Sequence, residues 1–201
     1  FGRYNRVLLY TSRKAIMDID LVNQTVAMMN PQEQVVEQIA QPLVRVATKP
    51  TKKSEVIEIL KQQGLNNSAI AGIMGNIDVE TGGTFDFQQQ EKEGTGYGLF
   101  QLTPSGPLPK AYNKFLEENG LTDDAGSQID FMIDTIYGKN QNVIGAGNAK
   151  KLRESFESGD ASKVAEDFMK IWERPGVPHK KRRLDSAKKF EKELNSPSSA
   201  R

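Results

Sequence analysis

The chain has 201 residues, of which 37% are hydrophobic, so it can form one domain with a proper core and has residues to spare. Its 27 basic and 26 acidic residues nearly cancel, and this balance does not indicate a protein that binds nucleic acid or another polyanion. The lack of cysteine excludes disulfides, thiol catalysis and cysteine metal sites. Because His179 is the single histidine, a histidine-cluster metal site is excluded. We expect neither a metal nor a cofactor.

The sequence also bears on where the protein is found. No apolar run approaches the roughly 20 residues of a membrane span, and no signal peptide is visible. We therefore expect no membrane span, and delivery to a site outside a cell would depend on another component. Because the chain begins at Phe1 rather than Met, we expect it to be a processed or excised piece of a longer chain.

Residues 1–50 differ in pattern from the rest of the chain. Residues 6–11 have the composition of a short strand, and a segment from Pro31 has the spacing of an amphipathic helix broken by Pro42. These elements are too few to make an independent core. We interpret residues 1–50 as a docking arm and linker that becomes ordered on a partner protein, with residues 51–201 as the main domain. The alternative is an extension packed on its own domain.

Residues 67–80 have the spacing of an amphipathic helix with an apolar face of isoleucines, namely Ile70, Ile73 and Ile77. Glu80 continues that face, and Gly82 just beyond it predicts the end of the helix. Burial and the negative end of the helix macrodipole both disfavour the charged form of Glu80, which is the setting that a general acid needs. The alternative is a glutamate exposed on a fraying last turn.

The segment after this helix is rich in turn-forming residues. Phe85 and Phe87, the polar run behind them and the turn residues 93–96 predict a small β-hairpin. Residues 97–102, Tyr-Gly-Leu-Phe-Gln-Leu, close the hairpin and place the polar Gln101 between apolar neighbours. Residues 103–107 predict a loop.

Apolar periodicity and capping residues predict five more helices. They run from Ser54 as N-cap to Gly64, over residues 110–118, from caps at Asp123 and Asp124, from Asp160 through Trp172, and over residues 178–194. The Gly-rich residues 137–148 match neither phosphate-loop motif and are interpreted as a loop bordering a cleft.

Two features of the later helices allow a structural and a functional interpretation. Trp172, the only tryptophan, continues an apolar stripe, so packing in the core is favoured over stacking on a ligand ring. The four cations at 180–183 are typical of a solvated helix face, and the alternative is that they favour approach to an anionic surface.

Two motifs in a fixed order carry a resemblance to a known family. They are residues 75–83, Gly-Asn-Ile-Asp-Val-Glu-Thr-Gly-Gly, and residues 96–101, Gly-Tyr-Gly-Leu-Phe-Gln. With Trp-Glu-Arg-Pro-Gly at 172–176, they make residues 54–192 similar to the phage tail lysozyme family, whose relatives include goose-type lysozymes and lytic transglycosylases. The resemblance implies a mainly α (α+β) fold, a lysozyme-like helical domain with a small β-hairpin, preceded by the short N-terminal arm.

The resemblance also implies roles for individual residues. Glu80 matches the catalytic acid of the family, and Tyr97 with Gln101 matches the floor of the sugar-binding cleft. Thr95 and Thr103, beside them in the sequence, are further candidates for sugar contact.

Two departures from related enzymes concern the second catalytic group. Hen-type enzymes carry an aspartate where this chain has Gly96, and goose-type relatives carry one where it has Thr103. The expected nucleophile is therefore missing. Glu93 is our first candidate for a water-orienting base, with Glu91 and Asp86 as others, and the alternative is that Glu93 is a solvated charge on an exposed tip.

The activity implied is hydrolysis of the β-1,4 bond between N-acetylmuramic acid and N-acetylglucosamine in peptidoglycan, with Glu80 protonating the departing oxygen. The alternatives are a lytic transglycosylase that forms anhydro-sugar ends and an inactive virion structural or wall-binding protein. The implied partners are glycan strands and, through residues 1–50, other phage tail or baseplate proteins. The implied location is the virion tail, with action on the bacterial wall or periplasm.

Overall fold

The computed structural model describes residues 52–90, 96–104 and 106–196. The predicted docking arm, residues 1–50, lies outside the described residues, as do Glu91, Glu93 and Thr95. The described ranges contain seven α-helices, numbered here in chain order: α1 Lys52–Gln62, α2 Asn67–Glu80, α3 Pro107–Asn119, α4 Ala125–Tyr137, α5 Ala146–Glu157, α6 Ala161–Phe168 and α7 Lys180–Asn195. A 3-10 turn covers Gln141–Val143, and a π-helical segment covers Met169–Glu173.

Helix α2 is the central helix of this domain. Asn66 caps its start by accepting a hydrogen bond from the Ala69 amide, and every residue from 69 to 77 is buried. Two glycines let other helices approach it closely. A Cβ atom on Gly72 would lie 2.4 Å from Cγ1 of Val164 in α6, and one on Gly75 would lie 2.6 Å from the carbonyl oxygen of Arg183 in α7. Helices α6 and α7 therefore pack directly against the α2 backbone.

Aromatic rings fill the core beside the π-helical segment. Trp172 is 1% exposed, stacks on Phe168 with ring centroids 5.3 Å apart, and lies 4.7 Å from the ring of Phe100. Its indole N–H donates a 2.9 Å hydrogen bond to Oγ1 of Thr135. These contacts confirm that Trp172 is a core residue.

The predicted small β-hairpin is not confirmed. Within the described ranges there is no strand, and antiparallel pairing is limited to two isolated bridges, Gln90 with Tyr97 and Tyr97 with Leu102. Gly98 and Gln101 both have positive φ, +81° and +47°, and they turn the chain back on itself immediately after Tyr97. The predicted mainly helical class is confirmed.

Several predicted helix boundaries were wrong by a few residues, and one helix was missed. Ser54 lies inside α1 rather than capping it, and α3 begins at Pro107, a residue that suits a first helical position. Only Asp124 caps α4. Helix α5 was missed because it begins after Gly145 without a side-chain cap and has Gly147 in its first turn.

None of the helices in the described ranges is long and apolar enough to cross a membrane. The same part of the chain contains no group of three or more His, Asp or Glu side chains placed to hold a metal ion.

Candidate active site

Glu80 is the last residue of α2, and its side chain is 15% exposed. The helix ends there as predicted, and the glycines that follow have the left-handed conformation, with φ of +59° at Gly82 and +84° at Gly83. The Glu80 carboxylate is not solvated on a fraying turn, because Oε1 accepts a hydrogen bond from Nη2 of Arg183. It is thus held in place while a part of it reaches the surface.

Arg183 is a buried residue that donates hydrogen bonds to several groups. Its side chain is 2% exposed, although it lies on α7 among exposed lysines. Besides Glu80, its guanidinium donates to Oε2 of Glu173, to Oδ1 of Asn76 at 2.9 Å, and to the carbonyl oxygen of Pro178 at 2.8 Å. Such a planar group with several donors fixes the relative positions of the acceptors that it joins.

Glu173 is the second carboxyl group of this cluster. It ends the π-helical segment, and its side chain is 1% exposed. Burial raises the pKa of Glu173 well above its usual range, and the negative charge of Glu80 raises it further, against the opposing effect of Arg183. Its Oε1 is buried and accepts no hydrogen bond. A proton on that oxygen would allow it to donate a hydrogen bond to Glu80. This would account for both the raised pKa of Glu173 and the unpartnered Oε1.

Sequence reasoning did not assign a role to Arg183 or Glu173. The solvated-face interpretation holds for Lys180, which pairs with Glu166, and for Lys181, which pairs with Asp185, but it was wrong for Arg183. A signal was present, since Arg183 continues the buried stripe of α7 formed by Ala187 and Phe190. For Glu173 the only signal is its place directly after a core tryptophan.

Tyr97 lies at a shallow pocket of about 300 Å³ between the turn before α3 and α3 itself. The hydroxyl groups of Tyr97 and Tyr112 each donate a 2.6 Å hydrogen bond to the carboxylate of Asp123. Partial burial and the hydrogen bond to Asp123 raise the pKa of Tyr97 to about 12. Asp123, which was predicted to be a helix cap, instead fixes two aromatic rings of the pocket wall.

Gln101 and Thr103 follow Tyr97 in the same turn. The side-chain amide of Gln101 donates to the carbonyl oxygens of Gly98 at 2.8 Å and Gln89 at 3.3 Å, so it holds together the backbone that carries Tyr97. Thr103 is exposed. The sugar-contact roles of Tyr97, Gln101 and Thr103 stay predictions.

The structure gives a physical reason for Gly96, at the position where hen-type enzymes have an aspartate. A Cβ atom there would lie 3.0 Å from Oε1 and 3.1 Å from Cβ of Gln101. A side chain at Gly96 would therefore crowd Gln101, and a carboxylate could not be added without moving it. Asp86, another candidate for the second acid, forms a 2.5 Å ion pair with Lys52, which lowers the pKa of its carboxyl group.

The two sequence motifs meet at the π-helical segment. Phe100, from the second motif, contacts the ring of Trp172. Glu173, the residue after Trp172, shares Arg183 with Glu80 from the first motif. The extra residue in a π-helical turn changes the direction of the side chains after it, and such turns occur often at functional sites. This segment thus links Glu80 to the turn that carries Tyr97.

The sequence matches a known protein family over most of its length. The family model described as Phage tail lysozyme matches residues 51–194, well over half of the chain. None of the curated proteins matches the chain significantly. The matched range includes the complete Glu80, Glu173 and Arg183 cluster, and lysozyme membership implies a peptidoglycan substrate. The chain belongs to the phage tail lysozyme family and is a lysozyme-like phage tail protein.

Proposed function

We propose that this protein is a peptidoglycan glycosidase of the phage tail that cleaves the β-1,4 bond between N-acetylmuramic acid and N-acetylglucosamine. The observation that supports this most is Glu80, a partly exposed carboxyl group at a helix end that buried Arg183 and Glu173 hold in one orientation. In glycosidases such a group protonates the departing oxygen while positive charge develops on the sugar ring. The part of Glu80 that reaches the surface is available for that transfer.

Arg183 and Glu173 would fix the orientation of the Glu80 carboxyl group and influence whether it is protonated. The guanidinium keeps the Glu80 side chain from rotating toward water. The carboxyl group is therefore already oriented when the transition state forms. The pocket beside Tyr97 is a candidate contact surface for the sugar chain, with Tyr97, Gln101 and Thr103 as the nearest candidates from the sequence.

Delivery by the virion would place the enzyme at the wall. We propose that residues 1–50 dock on another tail or baseplate protein and that the domain opens the wall locally during infection. The family match to a tail lysozyme supports this location.

A lytic transglycosylase is a second candidate, and a specific observation favours it. An inverting hydrolase needs about 6.5–9.5 Å between its two carboxyl groups to hold a water molecule. Glu173, which shares Arg183 with Glu80, has a side chain that is only 1% exposed, so it cannot hold a water molecule against a substrate. Glu80 could therefore act alone, first as acid and then as base, with the 6-hydroxyl group of the substrate in place of water.

Digestion of purified peptidoglycan by the full chain tests the proposal. We expect the wild type to clear peptidoglycan in a zymogram and Glu80→Gln to lose at least about 100-fold in rate, because the amide cannot donate the required proton. Glu166→Gln, which removes a surface acid paired with Lys170 and Lys180, is the matched control and should clear like the wild type. Mass analysis of the products separates reducing ends, expected from the hydrolase, from anhydro ends.

Two outcomes would refute the enzyme assignment. One is a folded wild type that clears nothing. The other is clearing by Glu80→Gln at the wild-type rate. Either would favour a structural or wall-binding role in the virion.

A further inference from the structure

Two carboxyl groups and one guanidinium meet at the end of α2, and their charges do not balance. Arg183 supplies one positive charge to Glu80 and Glu173, which would carry two negative charges if both were ionised. The Arg183 side chain is 2% exposed and that of Glu173 is 1% exposed, so water can screen the excess charge only at Glu80, which is 15% exposed. A single additional proton makes the cluster neutral.

The neighbouring charged groups do not supply that balance. On α2, Asp78 accepts a 2.6 Å hydrogen bond from Ser186. On α6, Glu166 pairs with Lys170 and with Lys180 of α7. Arg174, next to Glu173, donates through Nε to the carbonyl oxygen of Ile171, and the charges that act on Glu173 are those of Glu80 and Arg183.

The hydrogen-bond pattern shows where the proton fits. Oε2 of Glu173 accepts from Arg183, whereas Oε1 is buried and accepts nothing. Arg183 donates to Glu173 through Nη1 and to Glu80 through Nη2, so one guanidinium holds both carboxyl groups. A proton between the two carboxyl groups would give the buried Oε1 of Glu173 a partner, which two ionised carboxylates could not provide.

Building on the proposed glycosidase, we propose that Glu173 is a positioning residue that shares one proton with Glu80 and so prepares Glu80 to act as acid and then as base. When the shared proton lies on Glu80, it passes to the glycosidic oxygen as the bond from that oxygen to the anomeric carbon breaks, and the bonding electron pair leaves with the oxygen. Both carboxyl groups are then ionised. Their repulsion favours the return of a proton to Glu80 from the water or hydroxyl group that attacks the anomeric carbon.

This role explains why the buried partner is a glutamate and not an amide. A glutamine could accept from Arg183 and donate to Glu80, and it would therefore preserve the geometry. It could not become charged when Glu80 loses its proton. The difference between the two side chains isolates proton sharing from packing.

The test combines carboxyl titration by ¹³C nuclear magnetic resonance with kinetics, on the full-length wild type, Glu173→Gln and the control Glu166→Gln. In the wild type we expect two glutamate carboxyl signals that titrate together in two steps, the second well above the range of an isolated glutamate. Glu173→Gln should replace them with one single-step titration, whereas Glu166→Gln should retain both.

In the kinetic experiment, Glu173→Gln should shift the alkaline limb of the pH–rate profile to lower pH, since a neutral amide does not repel the ionised form of Glu80. At pH 7 we expect kcat to fall about tenfold or more, with KM within about twofold of the wild type. Glu166→Gln should leave the profile unchanged.

Wild-type carboxyl groups that all titrate independently in the ordinary glutamate range would overturn the inference without any variant. An active Glu173→Gln with the wild-type pH profile would overturn it as well. A paired titration in a wild type that cuts no peptidoglycan would instead refute the proposed function and leave the shared proton established.

Discussion

Arg183 donates a 2.9 Å hydrogen bond to Asn76, one helical turn before Glu80 on α2. Asn76 is fully buried, and its amide group donates to the carbonyl oxygens of Gly72 and, across the helix interface, Ala165. Its one side-chain oxygen is thereby aimed at the guanidinium. The position of Arg183 beside Glu80 is thus determined by the core as well as by charge.

The first prediction concerns the guanidinium itself. In Arg183→Lys a single ammonium group replaces the guanidinium, which donates hydrogen bonds to Asn76, Glu80 and Glu173. The substitution therefore leaves buried acceptors without a donor. We expect the free energy of unfolding to fall by about 3 kcal/mol. Urea unfolding monitored by the fluorescence of Trp172, the only tryptophan, measures the change.

The neighbouring exposed Arg182 offers a matched control. Arg182→Lys should change the free energy of unfolding by less than about 0.5 kcal/mol. Equal stability of the Arg182 and Arg183 variants would show that the buried contacts of Arg183 contribute nothing to folding.

The second prediction concerns the close approach of α2 and α7. In Gly75→Ala the new methyl group would lie 2.6 Å from the carbonyl oxygen of Arg183 and 2.7 Å from the amide nitrogen of Ala187, so the helices must separate. We expect a loss of about 1–3 kcal/mol of stability and, because Arg183 moves away from Glu80, lower peptidoglycan cleavage. Thermal unfolding and the cleavage assay give the two values.

Gly147 in α5 provides the contrast for that substitution, since a Cβ atom there meets nothing within 4 Å. Gly147→Ala should raise stability by about 0.5–1 kcal/mol through helix propensity. If both alanine variants behaved alike, close helix packing at Gly75 would be refuted.

The third prediction is a dependence on alkaline pH. The pKa of Tyr97 is raised to about 12 in the folded protein, whereas an unfolded tyrosine ionises near about pH 10. A raised folded pKa contributes stability that is fully present below about pH 10 and is lost as the pH rises through about 12. Unfolding experiments across this range should show falling stability, and absorbance at about 295 nm should follow the tyrosinate.

Asp123→Asn tests the cause of that shift. Removal of the carboxylate charge should lower the pKa of Tyr97 toward about 10, leaving the effect of burial. An unchanged tyrosine titration would mean that the hydrogen bond to Asp123 does not influence Tyr97.

The fourth prediction concerns the buried indole N–H of Trp172. Thr135→Val removes its acceptor, and we expect a loss of about 1–3 kcal/mol because the indole donor remains buried without a partner. Thr122→Val, at an exposed position, is the control and should stay within about 0.5 kcal/mol of the wild type. A fully stable Thr135→Val would contradict the importance of this hydrogen bond.

Sequence patterns predicted the features that depend on local periodicity and capping. Helix α2 was predicted because its isoleucines repeat at helical spacing and because Gly82 suits its end. The identity of Glu80 as a partly buried acid followed from the same stripe. The burial of Trp172 was predicted for the same reason.

The remainder depends on contacts between residues that are distant in sequence. Glu80 lies 103 positions before Arg183, and no local pattern indicates which acid the buried guanidinium will contact. Helix α5 lacks a side-chain cap, so its start carries no sequence signal. Asp123 resembled a cap beside Asp124, and only the tertiary fold brings the two tyrosines to it.

The packing of α7 on α2 has a consequence for the order of assembly. Arg183, the counter-charge of Glu80, lies on a helix near the carboxyl end of the matched domain. A nascent chain that ends before α7 therefore contains Glu80 but lacks the guanidinium that orients it. During synthesis the candidate active site would therefore be completed only after nearly all of the domain has been translated. Under the proposed function, the chain would become active only when the fold is complete.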